Sequence, residues 1–323
     1  MRVLLHVDPC PPAFRRGVIA LGNFDGVHRG HQAVLAEGRR VADELDVPLG
    51  VLSFEPHPRA VLNPEAVPFR LTNLRTKACE LAGVGVDFLV AHRFDTDVAR
   101  MLAQDFVEQV VVHGLGAVHL VMGADFCFGR GRSGTPDVLR WMGEMEGFGV
   151  TVVPAFREAG TVASSTEVRR HLREGRPEDA ARLLGHWWHI EARVEQGDRR
   201  GRTIGFPTAN LSMAGWQVPA LGVYAVRARL DDGRLVDGVA NIGRRPTFDK
   251  PDVNCEAHLF DFAEDLYGRH LCLAVVAHIR GERRFGGLDE LKAQIAADSD
   301  EARRILADLP ARAAALGLDP AAF

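Results

Sequence analysis

The sequence predicts two regions of different fold class: an α/β region with a parallel sheet, and then a small antiparallel β-barrel with a closing helix. Two patterns support this prediction. Before about residue 185, short apolar segments alternate with helical periodicity, which is typical of a parallel sheet covered on both faces. After it, apolar and polar residues alternate with period two between glycine-rich turns, which is typical of antiparallel strands. We therefore expect domains at residues 1–184 and 185–323.

The first region is predicted from a regular succession of elements. The expected strands span residues 18–22, 49–54, 87–92, 117–123 and 150–155. The expected helices span residues 31–45, 74–81, 97–113 and 136–146. Ligands bind beyond the carboxyl ends of the strands in such sheets, so the loops after Leu21, Phe54 and Met122 are the predicted site positions.

The second region is predicted from three alternating runs. They begin at Trp188, Tyr224 and Leu271, and the second run ends at the turn Asp231-Asp232-Gly233. A helix from Leu288 to about Leu309 is expected to close the chain.

The composition excludes several classes of protein. Of the 323 residues, 46% are apolar and 25% are charged, which are ordinary values for globular domains. The net charge of −4 gives no overall attraction to nucleic acid or to anionic membranes. No apolar run approaches the roughly 20 residues of a membrane span. Five cysteines without a CxxC pair argue against a disulfide framework, so we expect a cytoplasmic location.

The first chemical motif is GNFDGVHRGH at residues 22–31, between the first strand and the first helix. Glycine lets the backbone approach a ligand closely, and a helix N-terminus attracts phosphate. His28 and His31 are placed to donate hydrogen bonds to charge that develops on a phosphoryl group. Two alternatives are a glycine-rich turn with surface histidines and a metal-binding pair, although no third metal ligand is evident nearby. The strand–loop–helix context favours the phosphate site.

The second motif is ASSTEVRRHL at residues 163–172. Ser164 and Glu167 match a capping box, so a helix is expected to begin here. Ser165, Thr166 and Arg169 add hydroxyls and a guanidinium at the same N-terminus, which is a second possible phosphate site. The alternative is a helix cap with no further role.

A loop of sequence GADFCFGRGRSG spans residues 123–134 between these motifs. Arg130 and Arg132 can reach phosphates, while Phe126 and Phe128 can stack on a flat ring. Taken alone, this segment is also compatible with a mobile basic loop.

The second region contains GRTIGFPTANL at residues 201–211. A turn around Pro207 can present the Thr208 hydroxyl and the Asn210 amide oxygen to a hard cation such as magnesium. Glu256, on a later alternating strand, can accept a proton from a substrate hydroxyl. The alternatives are a surface turn for the former and a solvated strand charge for the latter.

Together these motifs resemble those of bifunctional riboflavin kinase/FAD synthetases. GNFDGVHRGH, FEPHPR, GADFCFG and SSTEVR are similar to the adenylyltransferase half of that family. GRTIGFPTANL, GVYAV, NIGRRPTF, EAHLFDF, DLYG and IRGERRF are similar to the kinase half. The resemblance runs from about Val18 to Asp298 in the family's order and spacing. It implies a Rossmann-like nucleotidyltransferase sheet followed by the kinase barrel.

The resemblance also implies roles for residues of the first region. His28 and His31 would bind ATP phosphates and stabilise the transferred AMP group. The other residues implied at the ATP site are Gly22, Asn23, Phe24, Asp25, Gly30, Ser164, Ser165, Thr166 and Arg169. The residues implied at the flavin are Pro56, Pro58, Asp125 and Phe128. The sequence departs from the family pattern at Cys127, where a basic residue is expected, and at Thr135, where Asn or Asp is frequent.

In the second region the resemblance places the catalytic base at Glu256 and Mg²⁺ at Thr208 and Asn210. The ATP of the kinase reaction would lie along Gly201, Gly205, Pro207, Thr208 and Asn210. The implied sequence of reactions is phosphorylation of riboflavin to FMN, and then adenylylation of FMN to FAD with release of pyrophosphate. ATP is the co-substrate of both steps.

Two other functions remain to be weighed. A nucleotidyltransferase acting on another phosphate ester would leave the PTAN and DLYG motifs unexplained. A nucleic-acid-binding module would use the arginines near residues 130, 198–202 and 280–284, but the net charge disfavours it. We expect small-molecule substrates, no nucleic acid, no membrane, and a monomer or weak homo-oligomer.

Overall fold

The computed structural model describes residues 1–7, 10–65, 67–196, 206–244 and 253–319. The chain divides into two compact units. The first comprises Met1–Val67 and Leu74–Ala163, and the second comprises Pro68–Asn73 and Ser164–Phe323. The units separate after Ala163, whereas the domain boundary at residues 184–185 marks the change of sequence pattern and stays a prediction.

The first unit contains a six-stranded, wholly parallel sheet, as the apolar runs predict. Its strands are β1 (Arg2–Leu4), β2 (Val18–Leu21), β3 (Leu49–Glu55), β4 (Phe88–Arg93), β5 (His119–Gly123) and β6 (Gly149–Val153). Their spatial order is β1-β4-β3-β2-β5-β6. The chain moves outward on one side of β2 and then returns to its other side, so the topological switch lies between β2 and β5. Such a switch opens a crevice at the carboxyl ends of the strands.

Alternate residues of these strands enter two different apolar cores. Ile19 and Leu21 belong to one core, while Val18 and Ala20 belong to the other. All four are almost completely buried. Because both faces are covered, the strands read as continuous apolar runs instead of alternating ones.

Helices cover both faces of this sheet. They are α1 (Arg29–Leu45), α2 (Pro58–Leu62), α3 (Leu74–Gly83), α4 (Thr96–Arg100), α5 (Ala103–Phe106) and α6 (Pro136–Glu146). A π-helix, Val107–Leu115, continues α5, and short 3₁₀ turns occupy Pro12–Phe14 and Arg130–Arg132. A two-stranded hairpin, β7 (Arg157–Glu158) and β8 (Thr161–Val162), completes the unit.

The prediction of one continuous helix over residues 97–113 is wrong. Met101 and Leu102 have extended backbone conformations, which end α4 before α5 begins. The Met101 carbonyl instead accepts a hydrogen bond from the Arg130 amide at 2.8 Å. A Cβ at Gly129 would lie 2.8 Å from the Ala103 amide nitrogen, so the loop that follows β5 fits tightly against this break.

The second unit is built on a closed barrel of antiparallel strands, and the period-two alternation predicts strands of this kind. Its strands are β9 (His189–Glu195), β10 (Ala209–Ser212), β11 (Gly222–Arg229), β12 (Leu235–Arg244), β13 (Val253–Leu259) and β14 (His270–Gly281). They close in the order β10-β13-β12-β11-β14-β9, and every pairing is antiparallel. Its helices are α7 (Ser165–Arg173), α8 (Pro177–Leu184), α9 (Leu288–Ala307) and α10 (Leu309–Ala315).

Helix α9 closes one outer face of the barrel. Val223 and Ala225 of β11 share an apolar cluster with Ala302 and Ile305 of α9. The Arg280 Nη2 atom of β14 donates to Asp298 Oδ2 of α9 at 2.7 Å, and the Asp298 side chain is only 6% exposed. Within the described residues, no helix combines the length and the apolar character that crossing a bilayer requires.

The buried histidine of β9 makes the stability of this unit depend on pH. Burial, aided by the charge of His186, lowers the pKa of His189 to about 3 from its ordinary value near 6.5. His189 therefore binds a proton below about pH 6.5 in the unfolded chain but stays neutral in the folded chain. The free energy of unfolding falls as the pH drops below that value. We expect a loss of about 2 kcal/mol between pH 7 and pH 5, from a slope of about 1.4 kcal/mol per pH unit.

Urea unfolding at pH 7 and pH 5 tests this expectation. Tryptophan fluorescence reports mainly on the second unit, because it contains three of the four tryptophans, Trp187, Trp188 and Trp216. The fourth, Trp141, lies in the first unit and is 62% exposed. The His189→Gln variant should lose less stability than the wild type between the two pH values, whereas the exposed-site variant His113→Gln should match the wild type. Equal losses in all three proteins would refute the assignment.

Candidate active sites

The loop between β2 and α1 has a strained backbone and buried side chains. Phe24 and Val27 have φ values of 47° and 33°, in the left-handed region, and each is about 1% exposed. Asp25 between them is 2% exposed. Such conformations persist only where the surrounding packing enforces them, and they cluster at functional sites. The loop therefore holds the start of α1 in a fixed place.

His28 and His31 are brought together as the motif predicts. Their rings stack at a centroid distance of 3.6 Å and an interplanar angle of 20°. His28 is the N-cap of α1, and its Nδ1 atom accepts the His31 amide hydrogen at 3.3 Å. An accepting Nδ1 in a neutral imidazole leaves the proton on Nε2, which is then a hydrogen-bond donor.

Gly30 makes this arrangement sterically possible. A Cβ at residue 30 would lie 2.7 Å from the Ala163 carbonyl oxygen and 3.1 Å from the His28 ring. No side chain fits at residue 30 unless the Ala163 carbonyl or the His28 ring moves. The glycine is therefore required by close packing at the helix N-terminus.

The segment after β3 contains the predicted flavin residues Pro56 and Pro58. Pro56 is exposed and Pro58 is half-buried at the start of α2. The His57 Nδ1 atom caps this helix by accepting the Arg59 amide hydrogen at 3.1 Å. The segment follows the strand next to β2, so it lies at the same edge of the sheet as the histidine loop.

The loop after β5 contains Asp125, Cys127 and Phe128. Asp125 is exposed, and the half-buried Cys127 directs its Sγ atom to the Asp125 carbonyl at 3.7 Å. Phe128 is only 7% exposed and contacts Phe126 and Phe106 at ring distances of 5.8 and 5.3 Å. The ring is thus part of the core, and its predicted contact with flavin would be made at an edge of this core.

Three aromatic residues at this edge of the sheet were not predicted as site residues. Phe54 lies 5.5 Å from Phe94 and 6.1 Å from His92, between ring centroids. Burial lowers the pKa of His92, and the nearby His6 lowers it further, so the ring is neutral at pH 7. Only their positions could have indicated these residues in the sequence. Phe54 and His92 are register partners near the carboxyl ends of the neighbouring strands β3 and β4.

Ser164, Ser165, Thr166 and Arg169 belong to the second unit and form the start of α7. The Ser164 Oγ atom accepts the Glu167 amide hydrogen at 3.3 Å, which confirms the predicted cap. The reciprocal half of the capping box is absent from the described contacts, because Glu167 instead accepts from the Arg170 guanidinium. The Arg169 Nε atom donates to the Phe69 carbonyl at 2.7 Å, and the residue is 9% exposed. The predicted phosphate role of these residues stays a prediction.

Thr135 has a structural role that explains its position. Its Oγ1 atom accepts the Val138 amide hydrogen at 3.4 Å and so caps α6. Thr, Asn and Asp are all favoured N-cap residues, which accounts for this departure from the family pattern.

The barrel presents a polar patch on its outer face around Glu256. Glu256 is half-buried and is the register partner of Asn210 on β10 and of Asn241 on β12. Its neighbours Cys255 and Ala257 face the other way and are about 1% exposed or less. Glu256 is therefore a carboxylate flanked by two amide residues on the neighbouring strands.

Asn210 is held by a residue that the sequence did not single out. The Asn254 Nδ2 atom donates to the Asn210 Oδ1 atom at 3.0 Å, and both side chains are 5% exposed. Asn254 lies two residues before Glu256, so the alternation of β13 places it on the same face. That period-two spacing was the signal available in the sequence.

A pocket of about 230 Å³ adjoins this patch. Pro207, Thr208 and Asn210 line one part of it, and residues 262–267, which include the first three residues of the DLYG segment, line another. The His258 Nδ1 atom and the Pro207 carbonyl oxygen lie 2.9 Å apart and join β13 to the PTAN turn. Gly201 and Gly205, also predicted at this site, lie outside the described residues.

Comparisons with known proteins identify the family of each half of the chain. A family model described as FAD synthetase matches residues 10–167, and one described as riboflavin kinase matches residues 184–306. The chain is 44% identical to the bifunctional riboflavin kinase/FMN adenylyltransferase of Escherichia coli strain K12, over 88% of this chain and 91% of that protein. It is 38% identical to the Bacillus subtilis protein of the same name, over 91% and 94% of the two chains.

A solved structure provides a comparison of architecture. It is titled a macrolide-efflux protein from Streptococcus pneumoniae, and it is 29% identical in sequence, with a TM-score of 0.82. The match covers 93% of this chain and 98% of that one. The architectures of the two proteins are therefore similar along nearly the whole of each chain.

Proposed function

This chain belongs to the family of bifunctional riboflavin kinase/FMN adenylyltransferases, and from that premise we propose which residues perform each of its two reactions. It is a transferase that phosphorylates riboflavin to FMN and adenylylates FMN to FAD, with ATP as co-substrate. The single observation that supports separate sites best is the presence of two distinct polar constellations, His28 with His31 in the first unit and Asn210 with Glu256 in the second.

The adenylyl transfer is proposed to occur at the N-terminus of α1. The FMN phosphate attacks the α-phosphorus of ATP, and pyrophosphate leaves. The stacked imidazoles of His28 and His31 donate hydrogen bonds to the negative charge that builds up on the phosphate oxygens. Free amides at the helix start add to that field. Asn23 and Asp25 adjoin the phosphates, while Pro56, Pro58, Asp125 and Phe128 hold the flavin ring.

The serine-rich start of α7 is proposed as a further phosphate contact. Ser164, Ser165, Thr166 and Arg169 supply hydroxyls and charge. The Arg169 Nε atom also donates to the Phe69 carbonyl, which fixes the position of the guanidinium. Cys127 cannot supply the cation that the family pattern has there, so this chain holds the FMN phosphate with one positive charge fewer.

The kinase reaction is proposed to occur beside the barrel pocket. The ribityl 5′-hydroxyl of riboflavin attacks the γ-phosphorus of ATP, and ADP leaves. Glu256 accepts the hydroxyl proton, and its register partners Asn210 and Asn241 lie on the two neighbouring strands. Catalysis depends mainly on positioning and on electrostatic stabilisation, without a covalent enzyme intermediate.

Magnesium fits the donor set beside that base. Thr208 and Asn210 offer a hydroxyl and an amide oxygen at one wall of the pocket, and hard oxygen ligands are those that Mg²⁺ prefers. Asn254 fixes the Asn210 amide with its oxygen in a defined orientation, which is the usual support of a ligand by its neighbour. When bound, the ion neutralises charge on the ATP phosphates.

A magnesium titration tests this assignment. The Asn210→Ala variant should need about tenfold to 100-fold more Mg²⁺ for half-maximal riboflavin phosphorylation, because one ligand is lost. Calorimetric titration of Mg²⁺–ADP should show a matching loss of affinity at the kinase site. FMN adenylylation by the same variant is the internal control. An unchanged magnesium requirement would exclude Asn210 as a ligand.

The cellular location follows from the cysteines. All five are free, and three of them, Cys10, Cys255 and Cys272, are buried. Free thiols without bridges are typical of a reducing compartment, so a cytoplasmic enzyme is proposed, as a monomer or weak homo-oligomer. Cell fractionation and analytical ultracentrifugation check these two points.

A further inference from the structure

A buried ammonium group lies behind the histidine loop. Lys77 of α3 is only 2% exposed, although lysine is almost never fully buried unless it is paired. Its Nζ atom donates to Glu55 Oε1 at 2.9 Å and to Ser53 Oγ at 3.2 Å. The chain has only three lysines among its 39 basic residues, and the other two are Lys250 and Lys292. The burial of the Lys77 ammonium group at this position therefore needs a structural or functional reason.

The first branch of this network reaches the ATP loop. Ser53 is completely buried in β3, and its hydroxyl donates to the Asn23 carbonyl oxygen at 3.0 Å. A hydroxyl that accepts from an ammonium group becomes a stronger donor on its other side. Lys77 therefore strengthens the hydrogen bond that holds Asn23, the residue directly before the strained turn at Phe24.

The second branch reaches the segment assigned to flavin. Glu55 is the last residue of β3 and precedes Pro56 directly. Its side chain is 21% exposed, so the Lys77 ammonium holds a carboxylate at the edge of the sheet. One buried charge thus connects the loops after two neighbouring parallel strands, β2 and β3.

We propose that Lys77 is a positioning residue for adenylyl transfer: through Ser53 and Glu55 it fixes the histidine loop and the flavin segment relative to each other. The inference rests on the proposed role of His28 and His31. It goes beyond that role, because Lys77 is buried behind the loop and lies outside every motif of the sequence. Because in-line transfer is sensitive to small displacements of the groups involved, loss of this charge should slow the chemical step.

Single-turnover kinetics with the full-length protein test this proposal. Enzyme in excess over FMN is mixed with ATP and magnesium, and FAD is measured over time. The Lys77→Met variant should show a rate constant at least about tenfold lower than the wild type. When folded enzyme is present at saturating concentration, the single-turnover rate constant does not depend on how much enzyme is folded, so this readout separates positioning from stability. Riboflavin phosphorylation should stay within about twofold of the wild type.

A second variant keeps the test valid if Lys77→Met does not fold. Ser53→Ala retains the pair between Lys77 and Glu55 and removes the hydroxyl that joins Lys77 to the Asn23 carbonyl. It should lower the rate constant severalfold, and the double variant should be no slower than Lys77→Met alone, since both act through one network. The matched charge control, Lys292→Met, should retain the wild-type rate constant.

Three outcomes would be decisive. A wild-type rate constant in Lys77→Met or in Ser53→Ala would overturn the inference. Fully additive losses in the double variant would also overturn it, because the two residues would then act separately. His28→Ala is measured in the same series: if it too retains the wild-type rate constant, the proposed histidine site itself is wrong.

Discussion

Replacing both histidines of the α1 N-terminus by alanine should abolish FAD formation while FMN formation continues. Each donor to a developing phosphate charge contributes about 100-fold to 1000-fold in rate, so the double variant should lose at least about 1000-fold in FMN adenylylation. Riboflavin phosphorylation should stay within about twofold, because His28 and His31 lie in the other unit. Chromatographic separation of riboflavin, FMN and FAD measures both reactions in one sample.

The matched control is His113→Ala. His113 is an exposed histidine of the same unit, in the π-helix, and its imidazole is outside the motif. Both activities of that variant should equal those of the wild type. If the double histidine variant loses both activities equally, the two reactions share a site or the fold has failed, and thermal unfolding distinguishes these cases.

Replacing Glu256 by glutamine should give the opposite result. Glutamine keeps the size of the side chain and its contacts with the neighbouring strands, but it cannot accept the ribityl proton. A general base contributes roughly 100-fold to 10,000-fold, so riboflavin phosphorylation should fall within that range. FMN supplied directly should still become FAD at the wild-type rate. Initial rates with riboflavin and with FMN as alternative substrates measure the two effects.

Glu301→Gln is the control for this substitution. Glu301 lies on α9 and pairs with Arg304, away from the polar patch around Asn210. It should leave both rates unchanged. A Glu256→Gln enzyme that phosphorylates riboflavin at the wild-type rate would show that another group takes the proton.

The strands of both units could be predicted because the burial of one or both faces of a strand determines its pattern of apolar residues. Strands covered on both faces, such as β2 and β3, are continuously apolar, whereas Asn254, Glu256 and His258 alternate with buried residues along β13. Each pattern is local and has a single structural solution. The closure of six strands into a barrel is not local, and the alternation alone left open a sheet or a barrel.

The break before α5 could not be predicted, because its cause is far away in the chain. The residues from 97 to 113 have a helical pattern. However, the Met101 carbonyl accepts a hydrogen bond from the Arg130 amide, and Gly129 packs against Ala103. Strand β1 was also missed. It has only three residues and lies at the edge of the sheet, where the pattern is too short to be informative.

The candidate sites were predictable where a motif combines with a helix start or a strand end. His28 and His31 are three residues apart at an N-terminus, so their contact follows from helix geometry. Residues that act by supporting others have no such signature. Lys77 and Asn254 gain their significance from Ser53 and Asn210, which lie 24 and 44 residues away along the chain. Only the fold brings these pairs together.

The central claim is that two independent sites in one chain act in succession, and mixing two inactive variants tests it most directly. The His28→Ala/His31→Ala enzyme and the Glu256→Gln enzyme are each incubated with riboflavin, ATP and magnesium, alone and together. We expect little or no FAD from either variant alone, and FAD after a lag from the mixture, because FMN released by one enzyme is adenylylated by the other. A mixture that forms no FAD, while each variant retains its own half-reaction, would contradict independent sites.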